Sequence, residues 1–283
     1  KTGAFEVNWS WGDKGFTRIE NEHLSYTEKE EADLAWLSDG TEYVSYGWGF
    51  DGEMTFYKLI PALAERRRVI VVDLRNHGKS DRIRGPVDVA DFALETIGVL
   101  DALDCGRPDV FGYSLGGMAA QVLAHRYPER VRRLVLGGTA AYPVDRFRVP
   151  ARLALWIARA VARLSKKEAV TFTYRLLLRS GVVEGRHARW LWAAMLNRDP
   201  TLFYEAGKAA WRFDSRPWVG QIEVPTMMII PTKDRIVRTE TQYELAELLG
   251  ADRVVEIAGA GHESVLSHPQ EYIAAIESFL TDV

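Results

Sequence analysis

The stretch "FGYSLGG" (residues 111–117) decides the fold. It contains Gly112-Tyr113-Ser114-Leu115-Gly116, a G-x-S-x-G pattern that is weak by itself. Its surroundings make it informative. An apolar run, "PDVFGYS" (108–114), leads into it and a helical pattern follows at once. The serine therefore falls on a strand-to-helix turn, as a nucleophile elbow requires. On so sharp a turn the residues two before and two after the serine must lack colliding side chains, a condition Gly112 and Gly116 meet. The hydroxyl then stands at a helix N-terminus, where partial positive charge favours a developing anion. The competing reading is a glycine-rich turn that binds phosphate, but the stretch lacks the Gly-Lys-Ser/Thr of a phosphate-binding loop.

Outward from this turn, apolar runs alternate with helical patterns. "RRVIVVDL" (67–74) and "VRRLVLGG" (131–138) have the β-branched, continuous character of buried parallel strands. Helical spacing marks residues 89–103, and a second helix is expected over 118–127, ended by Pro128. After Pro143 the pattern changes. Residues 146–212 hold only helical stretches rich in arginine, leucine and tryptophan. Strand character resumes in "VPTMMIIPT" (224–232) and "DRVVEIAG" (252–259), with helices expected over 240–249 and 269–280. The alternation predicts a doubly wound, mostly parallel α/β sheet. The expected organisation is a first core part over 1–142, an all-helical cap insertion over 143–217, and a second core part over 218–283. In the N-terminal forty residues, alternation in "FTRIENEHLSYTE" (16–28) suggests antiparallel edge strands, and "SDGT" (38–41) resembles a two-residue hairpin turn.

A serine hydroxyl is a poor nucleophile until a base takes its proton. His262, in "EIAGAGHESV", lies on a glycine-rich loop directly after the last strand and is the expected base. His23, His125, His187 and His268 fall near the N-terminus, inside the elbow helix, in the insertion and before the final helix. The base needs a carboxylate to fix its tautomer and stabilise the imidazolium. Asp234, in "IIPTKDRIV", follows the preceding strand, although a helix cap or solvated loop acid would also suit that position. Asp145 is the fallback acid.

Composition bounds the remaining possibilities. The chain has 283 residues, is 47% hydrophobic and 27% charged, and carries a formal net charge of -3. That balance gives no global basic field for nucleic acid. The single cysteine and six histidines show no structural zinc spacing. No apolar run approaches the length of a membrane span. The first thirty residues lack a signal-peptide core, and with Lys1 in place of an initiator methionine a removed leader stays open. The expected location is cytoplasmic, as a monomer or homodimer.

These residues together make the chain resemble the α/β-hydrolase fold superfamily, in the serine-nucleophile branch with a helical cap. The resemblance runs from about residue 43 to the C-terminus. The order Ser114, Asp234, His262 matches that fold's chain order. "DLRNHGKSD" (73–81) resembles its Asp-x-Arg-Gly-x-Gly-x-Ser segment, and "GHESVLSHPQEY" (261–272) its terminal histidine block. The resemblance implies that the glycine-rich loop "YGWGFDGE" (46–53) supplies one oxyanion-hole N–H from Trp48, with Leu115 giving the other. It also shows a departure: Tyr46 stands where relatives place a loop-bracing histidine, a role that His77 could take instead. No metal or organic cofactor is implied. Ser114 argues against the dehalogenase and epoxide hydrolase branches, which use aspartate at the elbow.

The implied activity is hydrolysis of a small to medium apolar ester or lactone, a small-molecule substrate, through an acyl-enzyme on Ser114. A carbon–carbon bond hydrolase, a perhydrolase or an acyltransferase would use the same triad. A ligand-binding receptor with little turnover is the reading outside catalysis. In the insertion, Trp156 and Trp192 would line an acyl cavity or simply pack cap against core, and Arg148, Arg152, Arg159 and Arg163 form a solvated face or one drawn to anionic lipid or an acidic substrate group.

Overall fold

The computed structural model describes residues 8–12, 15–19, 42–46, 52–77, 80, 82–143 and 200–281. Among these, β1 (Asn8–Gly12) and β2 (Gly15–Ile19) form an antiparallel pair. Then come β3 (Glu42–Tyr46), the short helices α1 (Gly52–Phe56) and α2 (Ile60–Leu63), β4 (Arg68–Val71) and α3 (Val89–Ala102). They are followed by β5 (Asp109–Tyr113), α4 (Leu115–Arg126), β6 (Arg133–Gly137) and α5 (Pro200–Arg212). The chain closes with β7 (Thr226–Pro231), α6 (Thr239–Leu249), β8 (Arg253–Ile257), α7 (Ser264–Ser267) and α8 (Pro269–Thr281).

Six strands form one parallel sheet in the order β4-β3-β5-β6-β7-β8. Successive strand residues point to opposite faces; along β4, β5, β6 and β7 both faces are buried, whereas the edge strand β8 exposes Val254 and Glu256. Ile70, Val110, Leu134, Leu136, Met228 and Ile230 enter one core with Phe92 and Leu100 of α3, Leu123 of α4 and Leu245 of α6. Val69, Val71, Phe111, Val135, Met227 and Ile229 enter the other, with Phe56 of α1, Leu63 of α2 and Ile276 of α8. This is why the strands read as continuous apolar runs rather than as alternation.

The order reverses between β4 and β5: the chain passes from β3 to β4 on one side, then returns to place β5 on the other. Ligands of open α/β sheets bind outside the carboxyl ends of the strands at such a switch point. Tyr46 pairs with Gly112 there, so β3 ends beside the elbow.

The local signals account for the element ends. Asp88 caps α3 by accepting from Ala90 N at 3.0 Å, while Asp91 accepts from Asp88 N at 2.9 Å, a capping box. Helix α4 begins at Leu115, three residues before its expected start, because the serine turn is itself the helix entry. Where antiparallel edge strands are expected over 16–28, Gly15–Ile19 is a strand paired antiparallel with Asn8–Gly12 in a separate two-stranded sheet, and residues 20–28 lie outside the described residues. The "SDGT" turn and most of the insertion expected over 143–217 lie outside the described residues; within that insertion α5 is helical. Among the described residues no helix is long and apolar enough to cross a membrane.

Candidate active site

Ser114 adopts φ 55° and ψ -120°, a conformation L-residues rarely take. Such a backbone costs about 1–3 kcal/mol and persists only where its surroundings over-determine it. Here they do. Ser114 N–H donates to Gly137 O at 3.0 Å, and Ser114 O accepts from Gly117 N at 2.9 Å and Thr139 Oγ1 at 2.8 Å. A Cβ on Gly112 would sit 2.6 Å from Gly116 O and Gly117 Cα, so the first glycine of the motif is required by a backbone crossing. Gly117, outside the five-residue pattern, is equally constrained, since its Cβ would meet Thr139 Cβ at 2.5 Å.

The strained turn also frees the hydroxyl. A serine at a helix N-cap ordinarily spends its oxygen accepting from the first helical turn. Ser114 makes no such cap bond. Its Oγ lies 3.0 Å from His262 Nε2, and His262 Nδ1 lies 2.7 Å from Asp234 Oδ2. With the ring proton on Nδ1, His262 donates to the carboxylate and accepts from the serine. The side chains grade inward, His262 at 15% exposure and Asp234 at 0%.

Each partner comes from the carboxyl end of a strand. Asp234 follows β7, where Oδ1 accepts from Ile236 N at 2.9 Å and Val237 N at 3.0 Å. Oδ2 accepts from Gln242 Nε2 of α6 at 3.0 Å as well as from His262. His262 follows β8, and its carbonyl accepts from the Tyr113 hydroxyl at 2.6 Å. That hydroxyl lies 3.0 Å from Ser264 Oγ, which lies 2.7 Å from Tyr272 OH. Burial, with Tyr272 as a lesser contributor, pushes the Tyr113 phenol well above the ordinary tyrosine range, so it stays a neutral donor.

The structure thus brings Ser114, Asp234 and His262 together. Leu115 opens α4, so its N–H has no carbonyl partner within the helix. Trp48 and the fallback acid Asp145 lie outside the described residues. Of the other histidines, His125 stacks on Trp218 with ring centroids 4.6 Å apart, and His268 Nδ1 lies 2.8 Å from Ser267 Oγ. His77 Nδ1 lies 3.0 Å from Arg75 O, within its own loop.

In the Asp-x-Arg segment, Asp73 Oδ1 accepts from Gly52 N at 2.7 Å, and a Cβ on Gly52 would sit 2.3 Å from Val71 Cγ1. The last glycine of "YGWGFDGE" is therefore there for α1 to approach β4. Asn76, where the family pattern has glycine, takes φ 69°, which asparagine tolerates better than most residues.

Four contributors escaped the sequence reading: Gln242, Ser264, Tyr272 and Thr139. Ser264 and Tyr272 sit inside the quoted histidine block, but only the folded chain shows that their hydroxyls meet Tyr113. Thr139 follows the strand neighbouring the elbow and carries no local signal.

An alpha/beta hydrolase fold family description matches residues 46–269. The pimeloyl-[acyl-carrier protein] methyl ester esterase of Neisseria meningitidis serogroup B is 31% identical over 84% of this chain and 92% of that protein. The 2-hydroxymuconate semialdehyde hydrolase of Pseudomonas sp. (strain CF600) is 29% identical over 79% of this chain and 80% of that protein. Among solved structures, a hydrolase from Pseudomonas aeruginosa PA01 superposes with a TM-score of 0.76 at 24% identity, covering 98% of both chains. At that identity the superposition speaks for the fold alone. With its switch-point serine, its parallel sheet and a family match across most of its length, the chain belongs to the alpha/beta hydrolase fold family.

Proposed function

We propose that the protein is a serine hydrolase that cleaves a small to medium apolar carboxylic ester or lactone through an acyl-enzyme on Ser114. The observation that carries this reading is the continuous relay from Ser114 Oγ to His262 Nε2 and from His262 Nδ1 to Asp234 Oδ2. His262 takes the serine proton as Oγ attacks the carbonyl carbon, and Asp234 stabilises the imidazolium that forms. The tetrahedral oxyanion is held by the Leu115 N–H, with Trp48 N–H as the second donor. Each such donor is worth about 2.7–4 kcal/mol of transition-state stabilisation. The imidazolium then protonates the leaving alkoxide. Water, deprotonated by the same histidine, releases the acid.

The helical insertion over 143–217 is the part of the chain proposed to roof the acyl pocket. The similarity to an acyl-carrier methyl ester esterase favours an ester substrate. The similarity to a semialdehyde hydrolase keeps carbon–carbon cleavage as the second reading, since the same triad serves it. A panel of p-nitrophenyl esters, lactones and vinylogous diketones, run on wild type and Ser114→Ala, tests both. Ester turnover and covalent fluorophosphonate labelling that vanish in Ser114→Ala are the expected results. Turnover that survives the substitution would sink the hydrolase claim, and turnover confined to the diketones would favour the second reading.

A further inference from the structure

Gln242 is fully buried on α6 and approaches the site from behind the acid. Its Nε2 lies 3.0 Å from Asp234 Oδ2 and 2.8 Å from Val237 O. Both contacts are acceptors, so the amide nitrogen must face them; a flipped amide would set oxygen against oxygen twice. The remaining atom, Oε1, is buried with no hydrogen-bond partner among the described residues. A buried acceptor left unpaired costs free energy, and an apolar side chain of similar volume would avoid that cost. What an apolar side chain could not supply is the donor.

We propose that Gln242 is a positioning residue for the base: by donating to the carboxylate oxygen that also holds His262 Nδ1, it fixes the plane of Asp234 and moderates its grip on the imidazolium. This rests on the hydrolase reading above. Val237 donates its N–H to Asp234 Oδ1 and accepts from Gln242 with its carbonyl. The acid is thereby held in a closed ring of bonds, and rotating the carboxylate breaks more than one of them. Among the described residues, His262 and Gln242 are the two side chains that reach Oδ2.

Other charged and titratable groups surround this pair. Tyr113 from β5 and Tyr272 from α8 both sense the Asp234 charge. Arg238, at the start of α6, pairs with Glu240, while Lys233 and Arg235 are exposed on either side of Asp234. Glu263 follows His262. None of these replaces the Gln242 donor. A carboxylate with one donor fewer attracts the imidazolium more strongly, so His262 should hold its proton to higher pH.

The test is an NMR titration of the His262 ring in the full chain, comparing wild type with Gln242→Met and Gln242→Leu. We expect the His262 midpoint to rise by about half to one pH unit in both variants. The acid limb of kcat/KM on a p-nitrophenyl ester should move with it, while KM at the optimum stays within about twofold of wild type, because Gln242 sits behind the acid rather than in the substrate path. A folded variant with an unchanged midpoint overturns the proposal. So does failure of both variants to fold, which would assign Gln242 to the scaffold alone. The NMR midpoint needs no turnover, so it judges Gln242 even if Ser114→Ala should retain activity and the hydrolase reading itself fall.

Discussion

Tyr113 donates its hydroxyl hydrogen to the main-chain carbonyl of His262 across 2.6 Å, so the residue just before the proposed nucleophile holds the residue proposed as its base. The bond joins the end of β5 to the loop after β8, with β6 and β7 lying between them in the sheet. The rings also meet, with centroids 5.6 Å apart. Ser114 and His262 are thus linked twice, through their side chains and through the bond from the neighbouring Tyr113 to the His262 carbonyl.

Tyr113→Phe removes that second link and the hydroxyl contact with Ser264 Oγ, while Ser264 keeps its bond to Tyr272. We expect kcat to fall about tenfold with KM nearly unchanged, the size of one hydrogen bond's contribution to alignment. Steady-state kinetics beside a thermal melt checks this. Unchanged kcat in a folded variant would show that the base loop is held well enough without the phenol.

The same hydroxyls predict an alkaline weakness. Burial raises the ionisation of both Tyr113 and Tyr272 above the ordinary tyrosine value. A raised folded-state value means that the neutral form is favoured in the fold. The associated stability is complete below the unfolded tyrosine value of about 10 and is lost as pH rises beyond it. Each group then contributes a slope of about 1.4 kcal/mol per pH unit. Urea unfolding from pH 9 to 11.5 should show a steeper loss for wild type than for Tyr113→Phe, by about one proton's worth of slope.

What the sequence disclosed depended on how locally each feature is encoded. The sheet was legible because each buried strand is a contiguous apolar run, and Ser114, Asp234 and His262 because each stands directly after such a run. Gly112 was legible because a sharp turn at Ser114 dictates it. Gln242 was not: it lies eight residues beyond Asp234 across a turn and a helix start, and nothing in "TETQYELAELL" sets its amide apart from any helical glutamine. The short helices α1 and α2 were also missed, because four or five residues carry too little periodicity to register. Gly52 closes the stretch expected to form the oxyanion loop, and its close approach to Val71 belongs to packing between α1 and β4.

Gly112→Ala tests the elbow as a steric device. The added methyl would lie 2.6 Å from Gly116 O and Gly117 Cα and 2.7 Å from Ala120 Cβ. Two of these three are main-chain atoms that cannot swing aside, so the turn itself must open. Overpacking of this kind costs about 1–3 kcal/mol, and a shift of the serine by even an ångström costs roughly a hundredfold in rate. We expect Gly112→Ala to lose fluorophosphonate labelling of Ser114 far more than it loses stability. Equal losses of both would mean that the elbow simply unfolds.

Ser215 offers a test of how the segment after α5 is tied to the elbow helix. Its N–H donates to Ala141 O at 2.8 Å and its hydroxyl to Gln121 Oε1 at 2.6 Å, joining the segment after α5 to the segment after β6 and to α4. Ser215 and Gln121 are both fully buried, and Gln121 Nε2 donates to Ala140 O at 3.3 Å. Ser215→Ala would strand Gln121 Oε1 without a donor, at a cost of about 1–3 kcal/mol in urea unfolding. Removing both polar partners is cheaper than orphaning one. Ser215→Ala combined with Gln121→Met should therefore be less destabilised than the sum of the two single variants. A strictly additive double variant would mean that the Ser215–Gln121 bond does not couple the two side chains.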